Sequence, residues 1–298
     1  MHSIIYKVLL FILGTVFGSF INVLSIRYVD MGKIFDFKVI GGRSKCVKCL
    51  SSISWFDLVP ILSFVFLRAK CRSCNSKISF QYPIVEIASG LIFAFVPSVV
   101  SSVYQFAYRI GGLGTIFYVL SAIYILFALI LLFIALVDLR LQIIPDQSNI
   151  LIAFLGVFLI FIKRKYEFFD FYRYSFLSHY ASLFGFRDNL IVNHILAFAV
   201  GLISFGLIYF LSRGRGMGFG DVKLAAVLGF FLGWPDIVIV LALSFIIGSF
   251  WSIILMFLGK AKMKSLLPFG PFIVLAVFVV VFFGRELLNF YFSLFPFN

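Results

Sequence analysis

The 23 residues from Thr115 to Val137 include no charged side chain. A bilayer core about 30 Å thick is crossed by about 20 helical residues, so this run is long enough to span a membrane and too apolar to cover itself in water. Similar runs recur along the chain. They place spans at about 4–26, 83–100, 115–137, 148–162, 190–211, 222–235, 237–258 and 268–290. The composition agrees, with 63% hydrophobic and 12% charged residues against about 25% charged in soluble domains. A single water-soluble core is therefore excluded. The expected fold is an all-α polytopic membrane protein of about eight transmembrane helices, surrounded by membrane lipid. The first run has no small-x-small cleavage pattern and sets Gly14, Gly18 and Asn22 on one helical face, so it reads as a packed first span rather than a removable leader.

The net charge is +13. In a membrane protein its distribution matters more than its size, because Lys and Arg collect in cytoplasmic loops. With the N-terminus outside, the segments 27–82, 138–147, 212–223 and 259–267 face inward and hold 17 of the 25 Lys and Arg, leaving 8 outside. The basic surplus is read as topology, and no nucleic-acid partner is expected. Three regions follow: a first transmembrane helix at 1–26, a cytoplasmic insert at 27–82, and a transmembrane domain at 83–298 with helices two to eight. Two features strain this scheme. The segment 163–189 carries five positive charges on the outer side, yet its aromatic residues suit an interfacial position. The run 222–235 is short for a span and is expected to need thin or protein-lined membrane.

All four cysteines fall in the insert, as Cys46-Val-Lys-Cys49 and Cys71-Arg-Ser-Cys74. Two such knuckles bring four thiolates around a structural Zn2+. The alternatives are two disulfides or four free thiols, and a reducing compartment disfavours the first. Metal binding would supply much of the folding energy of a segment this small. Four thiolates also leave no open coordination site for a substrate.

Acidic residues are scarce, which makes those at span ends informative. Asp138 closes the apolar run Leu131-Leu-Phe-Ile-Ala-Leu-Val. Asp221 follows Gly216-Met-Gly218-Phe-Gly220, where the glycines remove side chains at a point of close approach. By the topology both reach the inner surface, and two facing carboxyls can share a proton and activate water. The alternative is an interfacial anchor at Asp138 and a helix cap at Asp221. The helix ends would give the acid's role to Asp138, at a C-terminus, and the base's to Asp221, at an N-terminus. Asp146 and Asp236 read as caps, Glu86 as a residue able to face the site, and His179 and His194 as residues without chemistry. A proton-coupled transporter using the Asp pair is an alternative, though no inverted repeat supports it. A noncatalytic assembly factor docking partners on the insert is another.

These residues resemble the bacterial type IV prepilin peptidases, membrane aspartic proteases with a GxGD element. The likeness runs through Gly18-Ser-Phe-Ile-Asn-Val23, Arg43-Ser-Lys-Cys46, Leu67-Arg68, Tyr82-Pro-Ile-Val-Glu86, Asp138 through Ile144-Pro-Asp146, Gly216 through Leu224, and Pro268-Phe-Gly-Pro271. It implies that Asp138 and Asp221 are the catalytic pair, supported by Gly218 and Gly220. It implies a multi-pass protein of the bacterial inner membrane that cuts prepilin or pseudopilin leaders on the cytoplasmic side. N-methylation of the new N-terminus with S-adenosylmethionine is implied as well, although no dinucleotide-type glycine fingerprint marks a methyl-donor pocket; Gly111-Gly-Leu-Gly114 is too weak. Val47, Ala69 and Gln81 depart from the family's usual Pro, Gly and Arg.

Overall fold

The computed structural model describes residues 2–31, 41–104, 114–165, 175–184, 189–260, 262 and 267–294. Within them the regular structure is helical, apart from the isolated bridges Lys45–Ser52 and Lys70–Lys77. The helices are α1 (His2–Met31), α2 (Leu62–Phe66), α3 (Gln81–Val103), α4 (Gly114–Leu141), α5 (Asp146–Lys165), α6 (Leu190–Leu211), α7 (Phe219–Leu232), α8 (Asp236–Phe257) and α9 (Gly270–Leu294). Seven of them, all but α2 and α7, are long and apolar enough to cross a membrane. The expected span at 222–235 is the exception. Its helix has 14 residues, about 21 Å at 1.5 Å per residue, well short of a bilayer core.

The chain divides into two units, Met1–Ser98 with Tyr124–Val137, and Val99–Ile123 with Asp138–Asn298. In the first, the small-residue face of α1 lies against α3. A Cβ on Gly14 would sit 2.6 Å from the Ser89 carbonyl oxygen, and one on Gly18 would sit 2.8 Å from the Ser89 Cβ. Asn22, fully buried on the same face, accepts a hydrogen bond from Gln81 Nε2 at 2.7 Å. The packed first span expected from Gly14, Gly18 and Asn22 is therefore present.

In the second unit α7 is the centre. From Leu224 onward it is hydrophobic all round, which suits a helix enclosed by others, and α5, α6 and α8 pack against it. Leu224, Ala225, Leu228 and Phe231 have no solvent exposure. The α6 contact is backbone on backbone. A Cβ on Gly201 would stand 2.3 Å from the Ala225 carbonyl oxygen, and one on Gly229 would stand 2.1 Å from that of Ala197. A helix too short to cross alone is thus lined by protein.

Away from the carboxylate pair, Asp236 departs from its expected role as a cap. It is the first residue of α8, and its buried carboxylate accepts from the Ser175 hydroxyl at 2.6 Å and the Phe176 amide at 3.4 Å, tying a distant segment to the helix start. His194 Nδ1 lies 2.8 Å from the Phe230 carbonyl, in keeping with a structural residue. Of the aromatic insert expected at 163–189, residues 166–174 and 185–188 lie outside the described residues.

Candidate active site and metal centre

Asp138 sits three residues before the end of α4 and is buried. Its Oδ2 accepts a hydrogen bond from the amide of Gly270, the first residue of α9, at 2.9 Å. A Cβ at position 270 would fall 2.6 Å from that oxygen, so glycine is what allows the carboxylate to reach the amide.

Asp221 occupies the third position of α7 and is also buried. Its Oδ2 turns back to accept from the amide of Gly218, the N-cap residue, at 3.1 Å. Asp221 is thus not the N-cap anticipated as an alternative to chemistry; from the first turn it closes back on the cap residue, and that contact orients the carboxyl. The two flanking glycines have separate reasons. A Cβ on Gly218 would stand 3.3 Å from Asp221 Oδ2, and one on Gly220 would stand 3.2 Å from the Ile144 Cβ. The second approach draws the loop after Asp138 onto the start of α7. Asp138 and Asp221 are consequently close enough for one charge to act on the other.

Each carboxyl spends Oδ2 on an amide, and neither Oδ1 has a hydrogen-bond partner among the described residues. Such a pair can hold one shared proton and a water. The helix-end argument for separate roles changes, however. Asp138 meets the N-terminus of α9 as well as the C-terminus of its own helix, so both carboxyls receive a helix-start amide and dipoles alone no longer distinguish acid from base.

Sequence reasoning missed Gly270, although Pro268-Phe-Gly-Pro271 stood out as a block. It also missed Lys223, which pairs with Asp146 and lies 5.4 Å from the centre of the Phe219 ring. Asp146 opens α5 with its side chain 67% exposed and directed to that lysine rather than acting as an N-cap. Glu86, expected as a possible site residue, accepts from the Ile61 amide at 2.7 Å and so holds the insert to α3.

The four cysteine sulfurs lie within 4.8 Å of one another, with Cys46 and Cys74 at 3.9 Å. A tetrahedron with Zn–S bonds of about 2.3 Å has edges of about 3.8 Å, so the cluster can hold a metal ion. Both knuckles fold alike. The Cys46 amide donates to the Ser51 carbonyl at 2.9 Å and the Cys71 amide to that of Ser76 at 2.8 Å, while Leu50 and Asn75, each just past the second cysteine, take left-handed φ of +57° and +55°. The amides of Cys49 and Lys48 hold the Cys46 thiol down at about 6, favouring the thiolate that binds metal. Ala69 also has φ +57°, which accounts for the glycine usual there in the resembling family.

Comparison with known proteins adds two family matches. The Bacterial Peptidase A24 N-terminal domain matches residues 12–100, and the Type IV leader peptidase family matches residues 125–253. A Bacillus subtilis protein is 29% identical over 95% of this chain and 96% of its own length. Proteins from Aeromonas hydrophila and Pseudomonas aeruginosa are 26% and 23% identical, covering 96% and 97% of this chain and 94% of their own lengths. All three are named prepilin leader peptidase/N-methyltransferase. The transporter alternative gains no support from them. No solved structure matches the chain.

Proposed function

The chain belongs to the type IV leader peptidase family, and on that premise we propose that it is an aspartic endopeptidase that removes the leader of prepilins or pseudopilins, with Asp138 and Asp221 as its catalytic pair. The observation that carries this reading is the pairing itself: two buried carboxyls from different helices, each oriented by one backbone amide and each with an oxygen to spare.

The chemistry needs one carboxyl neutral and its partner ionised. The ionised carboxylate takes a proton from a water held between them, and the water oxygen attacks the scissile carbonyl carbon. The neutral carboxyl gives its proton to the carbonyl oxygen as the bond forms. Collapse of the tetrahedral intermediate breaks the C–N bond, with a proton passing to the leaving amine, and the pair returns to its starting state. Gly218, Gly220 and Gly270 contribute by allowing the close approaches that hold the carboxyls in place.

The substrate would be an apolar helix in the bilayer whose leader projects into the cytoplasm. The excess of Lys and Arg on one side supports an inward-facing site in the inner membrane. The cysteine cluster would hold a structural Zn2+, fastening the insert between α1 and α3. The relatives' names also support methylation of the new N-terminus, with S-adenosylmethionine supplying the methyl group. No β-strand occurs among the described residues, so a strand-to-helix glycine cradle for that donor is not present in them.

The deciding experiment is mass spectrometry of a candidate prepilin before and after incubation with purified protein and S-adenosylmethionine. Loss of the leader mass supports the peptidase, and a further gain of one methyl group supports the second activity. An intact prepilin with folded protein would overturn the proposal.

A further inference from the structure

The insert carries an apolar face that no described residue covers. In α2, Leu62, Val65 and Phe66 are spaced to share one side of the helix, and Phe66 is 82% exposed. The 3₁₀ turn Trp55–Leu58 packs against α2 and leaves Trp55 80% exposed. The hydrogen bond from the Ile61 amide to Glu86 fixes where this face lies. Glu86 is in the second turn of α3, a helix that crosses the bilayer, and α2 begins one residue after Ile61. The apolar face is thereby held where α3 enters the membrane.

The charge around it has one sign. Between residues 41 and 82 there are seven Lys or Arg, all exposed, against the single acid Asp57. Asp57 is already engaged by Arg72 in two hydrogen bonds, of 2.7 and 2.9 Å. The surface stays basic even after allowing for the two negative charges that four thiolates around a divalent ion would leave. Apolar and aromatic side chains on a segment of net positive charge, tethered at a membrane entry point, match the chemistry of an anionic lipid surface.

We propose that the insert lies on the leaflet from which it emerges, with Trp55, Leu62, Val65 and Phe66 dipping among the headgroups and Arg68, Lys70 and Lys77 on acidic lipid phosphates. The insert is then a membrane-docked platform rather than a freely projecting domain. This goes beyond the peptidase reading and stands or falls without it.

The test uses the full chain in nanodiscs holding one copy each, with Trp234→Phe and Trp251→Phe leaving Trp55 as the only tryptophan. Discs contain either phosphatidylcholine alone or phosphatidylcholine with phosphatidylglycerol, with bromines placed high on the acyl chains as the lipid quencher. In the anionic discs we expect blue-shifted emission and loss of at least half of the Trp55 signal to brominated lipid, with a clearly smaller loss in neutral discs. Arg68→Gln with Lys70→Gln and Lys77→Gln should bring the anionic result down to the neutral one, while the bound metal per chain stays unchanged to show that the insert remains folded. Trp55 open to aqueous acrylamide but not to brominated lipid would overturn the proposal. So would equal quenching in both kinds of disc, or shielding from both quenchers, which would mean that protein covers the face.

Discussion

The amide of Gly270 and the carboxylate of Asp138 meet at 2.9 Å although 132 residues separate them. Position 270 has no room for a side chain, since a Cβ would lie 2.6 Å from the accepting oxygen. Gly270→Ala should therefore move the carboxyl or the start of α9. A displacement of about 1 Å costs on the order of 100-fold in rate, and we expect prepilin cleavage to fall by about that factor. Circular dichroism and metal content should stay those of the parent. Cleavage within twofold of the parent would remove Gly270 from the positioning of Asp138.

The three aspartates near this surface should separate cleanly by activity. Asp138→Asn and Asp221→Asn should each abolish cleavage, and the double variant should lose little more, because groups that act as a unit are not additive. Asp146→Asn loses an ion pair to Lys223 that is largely exposed, worth about 0–1 kcal/mol. Its cleavage rate should stay within a few-fold of the parent, measured side by side on the same prepilin.

Close backbone packing of α6 on α7 makes a second contrast. Gly201→Ala and Gly229→Ala push a methyl group into opposing carbonyl oxygens at 2.3 and 2.1 Å, and overpacking of this kind costs about 1–3 kcal/mol. Both should lower thermal stability, and both should slow cleavage because α7 carries Asp221. Gly206→Ala, whose nearest neighbour is 3.8 Å away, should leave both measurements near those of the parent.

Metal content offers an independent check on the insert. The purified chain should carry one zinc by elemental analysis, lost on replacing Cys46 and Cys49 by Ser, while the helical signal of the membrane spans persists because those helices satisfy their own backbone. Ala69→Gly should retain metal longer against a chelator, since alanine at φ +57° costs about 1 kcal/mol that glycine does not.

What the sequence revealed depended on how far apart the interacting residues lie. Asp138 and Asp221 stood out because a carboxylate beside an apolar membrane helix is expensive to keep, and the clustering of the four cysteines was legible because their paired spacing is that of a ligand set. Asp236 was misread because a cap is a local inference, whereas its actual partner, Ser175, lies 61 residues away. The contact of Gly270 with Asp138 was missed for the same reason, since 132 residues separate the two. The shortness of α7 could be counted from the chain, but its enclosure by α5, α6 and α8 arises from packing that no single segment encodes. The helix-end argument was incomplete at Asp138 because it considered only that residue's own helix.

The two carboxylates also differ in when they are completed. Asp221 receives its amide from Gly218, three residues earlier, and has it as soon as α7 forms. Asp138 waits for Gly270 and hence for α9. Because a chain folds from its N-terminus as it is synthesised, a ribosome-bound intermediate ending before residue 270 already holds both acids and lacks the contact that orients the first. On the catalytic role proposed for Asp138, competence for cleavage would thus arrive only with the insertion of α9.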